Sequence, residues 1–228
     1  MSEGKKFISF SGGKDSTAML LKMIEKDMKI DKVIFADTTF EFPEMYDWIK
    51  KIQELIPYEI TIVKPQTTFN EWFYGKFTRG KYKGKPRGFP FVVSACYWSR
   101  ESKIKPLEKA QGKNNTIYIG FAYDEKKRAD AKRYKRGDNV FKFPLIEWKM
   151  TEQDCIDYLK EKGLDHPLKK FKRTGCWLCP KQSIGSLKIL YNDYPQLWKR
   201  LKKYEEDSSH GFRAKGNLNE LEKSLIRS

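Results

Sequence analysis

The 228-residue sequence lacks any apolar run that approaches the roughly 18 residues a helix needs to span a bilayer. Its first six residues are polar and charged, so the apolar segment of a signal peptide is also missing there. These features exclude a transmembrane helix, and we expect a cytoplasmic protein without membrane contact. Hydrophobic residues still make up 39% of the sequence, which is enough for one substantial core.

Histidine and cysteine are both scarce. His166, one of only two histidines, precedes a proline and is expected to be a turn residue rather than a metal ligand. The four cysteines are Cys96, Cys155, Cys176 and Cys179. In a reducing cytosol such a set binds metal or performs redox chemistry more often than it forms disulfides. Cys155 is set apart, because it lies among apolar residues of a predicted helix and is expected to be buried.

The two cysteines Cys176 and Cys179 form a C-x-x-C pair between a glycine and a proline. A turn of this kind places two thiolates on one side, which suits zinc or an iron–sulfur cluster. A redox dithiol and a purely structural role remain open at this point.

Acidic residues are outnumbered, because 46 Lys and Arg face 30 Asp and Glu and the net charge is +16. Excess positive charge raises affinity for polyanions through neutralisation of phosphates and release of counterions, so nucleic acid is a candidate partner. Two basic stretches stand out, residues 75–88 and residues 126–136. The first alternates cations with glycines and aromatics, and a mobile loop, a lid and a nucleic-acid contact all remain open.

Apolar periodicity predicts an alternation of strands and helices. Strands are expected over residues 5–10, 32–36, 59–63, 116–121 and 139–146, with helices over residues 16–28, from 43, over 97–110 and over 151–162. Such alternation is typical of α/β proteins with a doubly wound, mostly parallel sheet flanked by helices. We predict a nucleotide-binding α/β domain over residues 1–150 and a helical C-terminal extension, which carries the C-x-x-C motif, over residues 151–228.

The strongest local signal is the segment Ser11-Gly12-Gly13-Lys14-Asp15-Ser16, between the first strand and the first helix. Two glycines let the backbone turn tightly and bring its N–H groups close to an anion. The unpaired N–H groups and the dipole of a helix start also favour negative charge. The spacing matches neither the Walker pattern nor the glycine fingerprint of dinucleotide-binding proteins. Lys14 adds a positive charge, and Asp15 would orient donors or help to hold Mg²⁺.

This loop resembles the PP-loop of the ATP pyrophosphatase, or adenine nucleotide alpha hydrolase-like, superfamily. Further motifs over about residues 5–198 are similar to those of one branch, the phosphoadenosine phosphosulfate (PAPS) reductase family. They are Asp37-Thr38 with Phe42-Pro43-Glu44, Cys96 with Lys105-Pro106-Leu107, Gly120 with Asp124-Glu125 and Arg128, Pro144-Leu145-Ile146 with Trp148, and His166-Pro167-Leu168 before Gly175-Cys176. Several ordered motifs together are more specific than any one of them.

The resemblance implies a set of functional residues. Nucleotide contacts would come from Ser11, Gly12, Gly13, Lys14, Asp15, Ser16, Asp37, Thr38, Gly120 and Asp124. Catalysis with ATP and Mg²⁺ would depend on Lys14, Asp15 and Arg128, although Arg128 and its basic neighbours could instead form a solvated face paired with carboxylates. The metal ligands would be Cys96, Cys176 and Cys179, which would hold a [4Fe–4S] cluster or, alternatively, Zn²⁺.

One departure separates the sequence from the sulfonucleotide reductases that it resembles. The tail of those enzymes carries a catalytic cysteine beside a glycine and a histidine, whereas this segment reads Ser208-Ser209-His210-Gly211-Phe212. A thiol nucleophile is needed there to take the sulfite group. We therefore predict an enzyme that adenylates an acceptor with ATP for sulfur transfer. Reductase-type thiol chemistry and a non-catalytic nucleic-acid-binding module are the alternatives.

The expected partners follow from this interpretation. They are an adenine nucleotide, a tRNA or DNA substrate and a sulfur-donor protein, and a homodimer remains open. By resemblance, a cluster held by three thiolates would leave one iron available to carry a sulfur atom.

Overall fold

The structure is a computed structural model and describes residues 4–92, 95–171, 173–213 and 216–226. The chain forms two compact units, each assembled from separate stretches of sequence. The first comprises Met1–Asp37, Pro43–Lys64 and Ile104–Lys169, and the second comprises Thr38–Phe42, Pro65–Lys103 and Lys170–Ser228. These units are discontinuous in sequence, whereas the division expected at residue 150 follows the order of the chain.

Seven strands occur in the described residues: β1 (Lys6–Phe10), β2 (Lys32–Ala36), β3 (Ile60–Val63), β4 (Phe91–Val92), β5 (Ala95–Cys96), β6 (Thr116–Ile119) and β7 (Val140–Lys142). Five of them form the sheet of the first unit, in the order β3-β2-β1-β6-β7. Every pairing in this sheet is parallel, so all five strands end at the same edge. In the second unit, β4 and β5 pair antiparallel.

The described helices are α1 (Lys14–Glu25), α2 (Pro43–Leu55), α3 (Phe69–Tyr74), α4 (Tyr97–Ser99), α5 (Lys105–Gln111), α6 (Pro144–Glu147), α7 (Glu152–Glu161), α8 (Ile184–Asp193), α9 (Pro195–Asp207) and α10 (Leu218–Ile226). A π-helical turn joins α4 to α5, and two 3-10 turns, Tyr123–Arg128 and Lys132–Tyr134, follow β6. The predicted fold class, a parallel α/β sheet flanked by helices, is confirmed. No helix in the described ranges is both long and apolar enough to cross a membrane.

The core of the first unit lies on the central strands. Phe7 of β1, Ile34 of β2 and Ile117 of β6 are buried against one another, with partly buried Val63, Leu107, Ala110, Ile119 and Phe141 packed around them. A parallel sheet that is covered on both faces needs nearly continuous apolar strands, and these strands have that composition. The core therefore fixes the ends of β1, β2 and β6, which is where the loops with the candidate site residues begin.

The last strand is shorter than predicted. A strand was expected over residues 139–146, but β7 ends at Lys142 and α6 begins at Pro144. That part of the prediction was wrong, because proline cannot donate a ladder hydrogen bond and its fixed φ suits the first position of a helix. Leu145, expected in a strand, is instead buried in α6.

Helix α7 begins at a capping box. Thr151 Oγ1 accepts a hydrogen bond from the Asp154 N–H, and the Asp154 carboxylate accepts one from the Thr151 N–H. This capping box satisfies two N–H groups at the helix start. The helix packs on α1, so it belongs to the first unit.

Aromatic rings form the centre of the second unit. The Phe40 ring contacts the rings of Phe69, Trp98, Trp177 and Tyr204, with ring centroids 4.6 to 6.4 Å apart. Trp177 lies inside the C-x-x-C segment, and its N–H donates to the Phe40 carbonyl at 2.9 Å. The turn with the two cysteines is therefore anchored through both its backbone and a buried ring.

Candidate functional site

The predicted phosphate loop joins β1 to α1 in the first unit. Gly12 has a φ of +74°, a left-handed conformation that side chains rarely adopt. A Cβ at this position would also meet Met45 Sδ at 2.5 Å. Gly12 is therefore required both by its backbone conformation and by the lack of space beside it.

Two serines hold the loop closed on itself. Ser16 Oγ lies 2.9 Å from Ser11 Oγ and accepts a hydrogen bond from the Ser11 N–H at 3.2 Å. Ser16 Oγ and Thr17 Oγ1 each donate to the Gly13 carbonyl at 3.0 Å. Ser16, which was predicted to donate to a phosphate, is buried and serves in the structure to shape the loop.

The start of α1 has the features of an anion-binding site. Gly13 is its N-cap residue, and among the described residues no side chain caps the helix there. The first N–H groups of a helix have no partner within the helix, and the helix dipole places positive potential at them. A phosphate group has the charge and the acceptor oxygens that such a site favours.

Lys14 is held between two carboxylates. Its Nζ donates to Asp15 Oδ1 at 2.9 Å and to Glu152 Oε2 at 2.7 Å. Burial acts to lower the pKa of Lys14, but the hydrogen bonds to Glu152 and Asp15 outweigh it and raise that pKa above its usual value. Burial raises the pKa of Asp15, and the hydrogen bond from Lys14 only partly offsets this effect. Glu152, at the start of α7, was not predicted from the sequence as a site residue.

A buried histidine contacts the loop from behind. His166 Nε2 lies 2.9 Å from the Gly12 carbonyl oxygen, and His166 Nδ1 accepts from the Leu168 N–H at 3.2 Å. Because Nδ1 is an acceptor, the ring is neutral with its proton on Nε2, which donates to Gly12. Burial lowers the pKa of His166 and keeps it in this form. The hydrogen bond from Leu168 agrees with the turn residue that the sequence predicted. The contact between His166 and Gly12 was not predicted.

The turn after β6 brings further predicted residues to this unit. Asp124 accepts a hydrogen bond from the Glu152 N–H at 3.2 Å, so it caps α7 next to the carboxylate that contacts Lys14. Arg128 forms an ion pair with Glu125, and its guanidinium lies 4.2 Å from the centroid of the Phe121 ring. The pairing with a carboxylate agrees with the alternative of a solvated face, and the catalytic role of Arg128 stays a prediction.

Asp37 directly follows β2 and is 3% exposed. The Tyr46 hydroxyl donates to Asp37 Oδ1 at 2.9 Å, and Lys64 Nζ lies 3.5 Å from Oδ2. Ligands of open α/β sheets bind beyond the carboxyl ends of strands, which is where Asp37 lies. Thr38 belongs to the second unit, where its hydroxyl donates to Glu41 Oε1 at 2.6 Å. The nucleotide contacts of both residues stay predictions.

Three cysteines lie near one another in the second unit. A hydrogen bond from the Cys176 thiol lowers the pKa of Cys179 and, by the same contact, raises that of Cys176. Burial raises the pKa of Cys96, and Cys96 interacts electrostatically with both other cysteines. Cys179 is therefore the residue of the pair that ionises first.

The fourth cysteine lies in the other unit. Cys155 is fully buried in α7, as predicted, and there it interacts with the Asp15 carboxylate. Burial raises its pKa strongly, so it is a protonated thiol.

Three thiols that interact with one another are a donor set suited in chemistry to an iron–sulfur cluster or to zinc. Across the described residues, no group of three or more His, Cys, Asp and Glu is gathered as a metal ion requires. The donor types fit, and the assignment of Cys96, Cys176 and Cys179 as ligands stays a prediction.

A family model, the phosphoadenosine phosphosulfate reductase domain, matches residues 5–182 of the chain. The chain belongs to this family. Matching relatives of the PAPS reductase family include proteins named as phosphoadenosine and adenosine 5'-phosphosulfate reductases. The resemblance inferred from the ordered motifs is thus confirmed.

Individual relatives within and around the PAPS reductase family are distant. The chain is 27% identical over 219 residues to an uncharacterised protein of Methanocaldococcus jannaschii, a match that covers 90% of this chain and 43% of that protein. It is 30% identical over 175 residues to the phosphoadenosine 5'-phosphosulfate reductase of Aliivibrio salmonicida, which covers 73% of this chain and 64% of the reductase. The chain thus spans about half the length of the first relative and under two thirds of the second.

The fold is shared with a PAPS reductase of known structure. The crystal structure of the enzyme from Candida auris, in a phosphate complex, superposes with a TM-score of 0.52 at 18% sequence identity. The superposition covers 78% of this chain and 82% of that one. At this identity, the likeness establishes the family fold and nothing finer.

Proposed function

We propose that the protein is a cytoplasmic PP-loop enzyme that binds ATP with Mg²⁺ and adenylates an acceptor for sulfur transfer. The observation that carries this proposal is the closed loop at the uncapped start of α1. A phosphate chain would lie against the first N–H groups of α1, with Lys14 as the cation beside it. Asp15 and Glu152 both contact Lys14, and they would supply carboxylates for Mg²⁺ when Lys14 binds a phosphate instead.

The proposed first step is a nucleotidyl transfer. An acceptor oxygen attacks the α-phosphorus of ATP, a new P–O bond forms, and the bond to the bridging oxygen breaks to release pyrophosphate. Catalysis of such a step depends on positioning and on stabilisation of developing negative charge. The loop N–H groups and Lys14 stabilise the charge on the leaving pyrophosphate. Mg²⁺, when bound, would neutralise part of this charge. We assign Arg128 as a further cation that contacts the phosphates.

The proposed second step transfers sulfur. A sulfur atom at the oxidation level of sulfide, delivered by a donor protein, attacks the activated carbon, and AMP leaves with the acceptor oxygen. We assign Cys96, Cys176 and Cys179 as ligands of a [4Fe–4S] cluster, with Zn²⁺ as the alternative. When bound, such a cluster would supply an iron that holds the sulfur.

We assign a nucleic-acid base, in tRNA or DNA, as the acceptor. The support for this class is the net charge of +16 and the two basic stretches. A homodimer is compatible with this function and is not required by it.

The second candidate function is reductase-type thiol chemistry on a sulfonucleotide, which the names of several relatives favour. In the segment that would need the nucleophilic cysteine, residues 208–212, residues 209–211 are exposed and Phe212 is buried. Phe212 is 1% exposed against the Phe89 ring, and its N–H donates to Glu205 at 2.8 Å. His210 Nε2 lies 3.1 Å from the Phe89 carbonyl oxygen. The sequence holds no cysteine after Cys179, which weighs against this candidate.

One experiment separates the two functions. Purified protein is incubated with Mg²⁺ and either ATP plus tRNA or DNA, or a sulfonucleotide plus a thiol reductant, while pyrophosphate and sulfite are measured. We expect pyrophosphate release that falls about a hundredfold in Lys14→Ala, as for loss of one donor to a developing charge. Lys50→Ala, an exposed lysine on α2, is the matched control and should keep full activity.

The opposite result identifies the alternatives. Sulfite release from the sulfonucleotide without ATP, and no pyrophosphate from ATP, would overturn the adenylation proposal in favour of the reductase. Salt-sensitive binding of nucleic acid with no turnover of either nucleotide would favour the non-catalytic module.

A further inference from the structure

Residues 75–88 form an ordered projection, here called the basic hairpin. The Phe77 N–H donates to the Lys85 carbonyl at 3.0 Å, and the Arg87 N–H donates to the Gly75 carbonyl at 2.9 Å. These bonds pair the two sides of the segment antiparallel.

Within the part of the chain that the structure describes, the cations of the basic hairpin form no ion pair. Its six cations are Lys76, Arg79, Lys81, Lys83, Lys85 and Arg87, and all except Arg87 are exposed. The sequence has no Asp or Glu from residue 72 to residue 100. The other basic stretch differs, because Arg128 pairs with Glu125 and Lys135 with Asp130. Such pairing neutralises part of the charge of residues 126–136, and the described residues show no such pairing in the hairpin.

An exposed aromatic ring lies within this charge. Tyr82 is 53% exposed, and the Nζ atoms of Lys81 and Lys85 each lie 5.9 Å from its ring centroid. The Phe77 ring, with its centroid 6.0 Å away, supports it from the hairpin. Arg87 lies 5.5 Å from the Trp72 ring centroid, so a second ring near the hairpin also has a cation against it.

We infer that the basic hairpin is the docking surface for a single-stranded stretch of nucleic acid, with an unpaired base stacked on Tyr82. Proteins bind such strands by combining aromatic platforms for bases with cations that neutralise the backbone. Lys81 and Lys85 lie beside Tyr82, where they would form ion pairs with the phosphates on either side of the stacked base. In a duplex the bases are stacked on each other, so the Tyr82 ring would have no base to receive.

This inference rests on the proposed function, because it says where that enzyme holds its nucleic-acid acceptor. An acidic protein or an anionic membrane would use the same charge but not the aromatic platform. The test therefore has to separate the contribution of the ring from the contribution of the lysines.

The test measures binding of a fluorescent single strand of about 12 nucleotides, by anisotropy over a range of salt concentrations. RNA and DNA strands of one sequence, and the corresponding duplex, are compared. The charge variant is Lys81→Ala with Lys83→Ala and Lys85→Ala, and the ring variants are Tyr82→Ala and Tyr82→Phe. The matched control removes three exposed lysines of the first unit, with Lys50→Ala, Lys51→Ala and Lys109→Ala.

We expect the charge variant to reduce the slope of log affinity against log salt by about 2, because each lost phosphate contact on a single strand contributes about 0.7. Tyr82→Ala should weaken binding about tenfold while Tyr82→Phe, which keeps a stacking ring, binds like the wild type. The duplex should bind more weakly than the single-stranded RNA and more weakly than the single-stranded DNA. The control variant should keep the wild-type slope within about 1.

Three outcomes would overturn the inference. The first is that the control variant reduces the salt slope as much as the charge variant does. The second is that Tyr82→Ala binds single strands as tightly as the wild type. The third is that the hairpin binds anionic vesicles or poly-glutamate but no nucleic-acid strand. ATP-dependent pyrophosphate release, measured on the same variants, reports on the proposed function separately. Normal pyrophosphate release together with nucleic-acid binding that does not depend on the hairpin would overturn only the inference. Nucleic-acid binding that depends on the hairpin, without any pyrophosphate release, would overturn only the proposed adenylation.

Discussion

Gly120 lies directly against Ser16, at the place where the end of β6 meets the first turn of α1. A Cβ built on Gly120 would lie 2.7 Å from Ser16 Cα and 3.0 Å from Ser16 N. Both atoms are backbone atoms, so they cannot rotate away as a side chain can. The absence of a side chain at residue 120 is therefore a condition for the shape of the phosphate loop.

The first prediction is that Gly120→Ala weakens nucleotide binding. The new methyl group must push β6 and α1 apart, which displaces Ser16 and with it the hydrogen bonds that close the loop. We expect affinity for ATP with Mg²⁺ to fall at least about tenfold and the free energy of unfolding to fall by about 1–3 kcal/mol. Isothermal titration calorimetry and urea unfolding measure the two effects.

Gly185→Ala is the matched control for this substitution. Gly185 lies in the first turn of α8, and the nearest atom to its added Cβ would be Ser183 Oγ at 3.9 Å. This change should leave ATP affinity unaltered and raise stability by about 0.4–1 kcal/mol. Normal ATP affinity in Gly120→Ala would show that the contact with Ser16 does not shape the loop.

The second prediction concerns the two hydrogen bonds of His166. Glutamine places an amide N–H near the position of Nε2, so His166→Gln can still donate to the Gly12 carbonyl. Asparagine places its oxygen near Nδ1, so His166→Asn keeps the Leu168 bond and loses the Gly12 bond. We expect His166→Asn to weaken ATP binding about tenfold, because a buried carbonyl of the loop loses its donor, and His166→Gln to weaken it less.

Fluorescence titration with an ATP analogue measures this difference, and far-UV circular dichroism confirms that both variants fold. Equal ATP affinity in the two variants would contradict a positioning role for His166. It would then be only a turn residue, as the sequence alone suggested.

The third prediction is a dependence of stability on pH. Burial lowers the pKa of His166 in the folded state below its usual 6.5. The unfolded chain therefore takes up a proton first as the pH falls, so the stability contribution is complete above about 6.5 and declines below it. The wild type should lose stability relative to His166→Gln between pH 6.5 and pH 5, by at most about 1.4 kcal/mol per pH unit. Urea unfolding at several pH values measures this difference, and a constant difference would contradict it.

The central strands of the sheet could be predicted from the sequence, because their residue types favour strands and their apolar pattern is that of buried strands. β2 was expected over residues 32–36 and is found there, since its β-branched and aromatic residues are those of a fully buried strand. Helix α2 begins at Pro43, as its fixed φ favours. The loop between β1 and α1 was recognisable for a similar reason, because its glycines, serines and lysine are consecutive.

Contacts between residues far apart in sequence could not be predicted in this way. Glu152 lies 138 residues from Lys14 in sequence and reaches it only because α7 packs on α1, and nothing near residue 152 indicates that packing. His166 likewise meets Gly12 across 154 residues. Periodicity reports which face of an element is buried, but it does not report which element covers that face.

The last prediction concerns the thiol ligands that we assign in the second unit. Protein purified without oxygen should contain iron and inorganic sulfide and absorb visible light, and Cys96→Ser, Cys176→Ser and Cys179→Ser should each reduce both contents strongly. Cys155→Ala is the control, because Cys155 is a buried, protonated thiol in the first unit. It should keep full iron content while it loses about 1 kcal/mol of stability through the small cavity. Stoichiometric zinc in place of iron would select the alternative metal, and full iron content in all three serine variants would overturn the assignment of these cysteines.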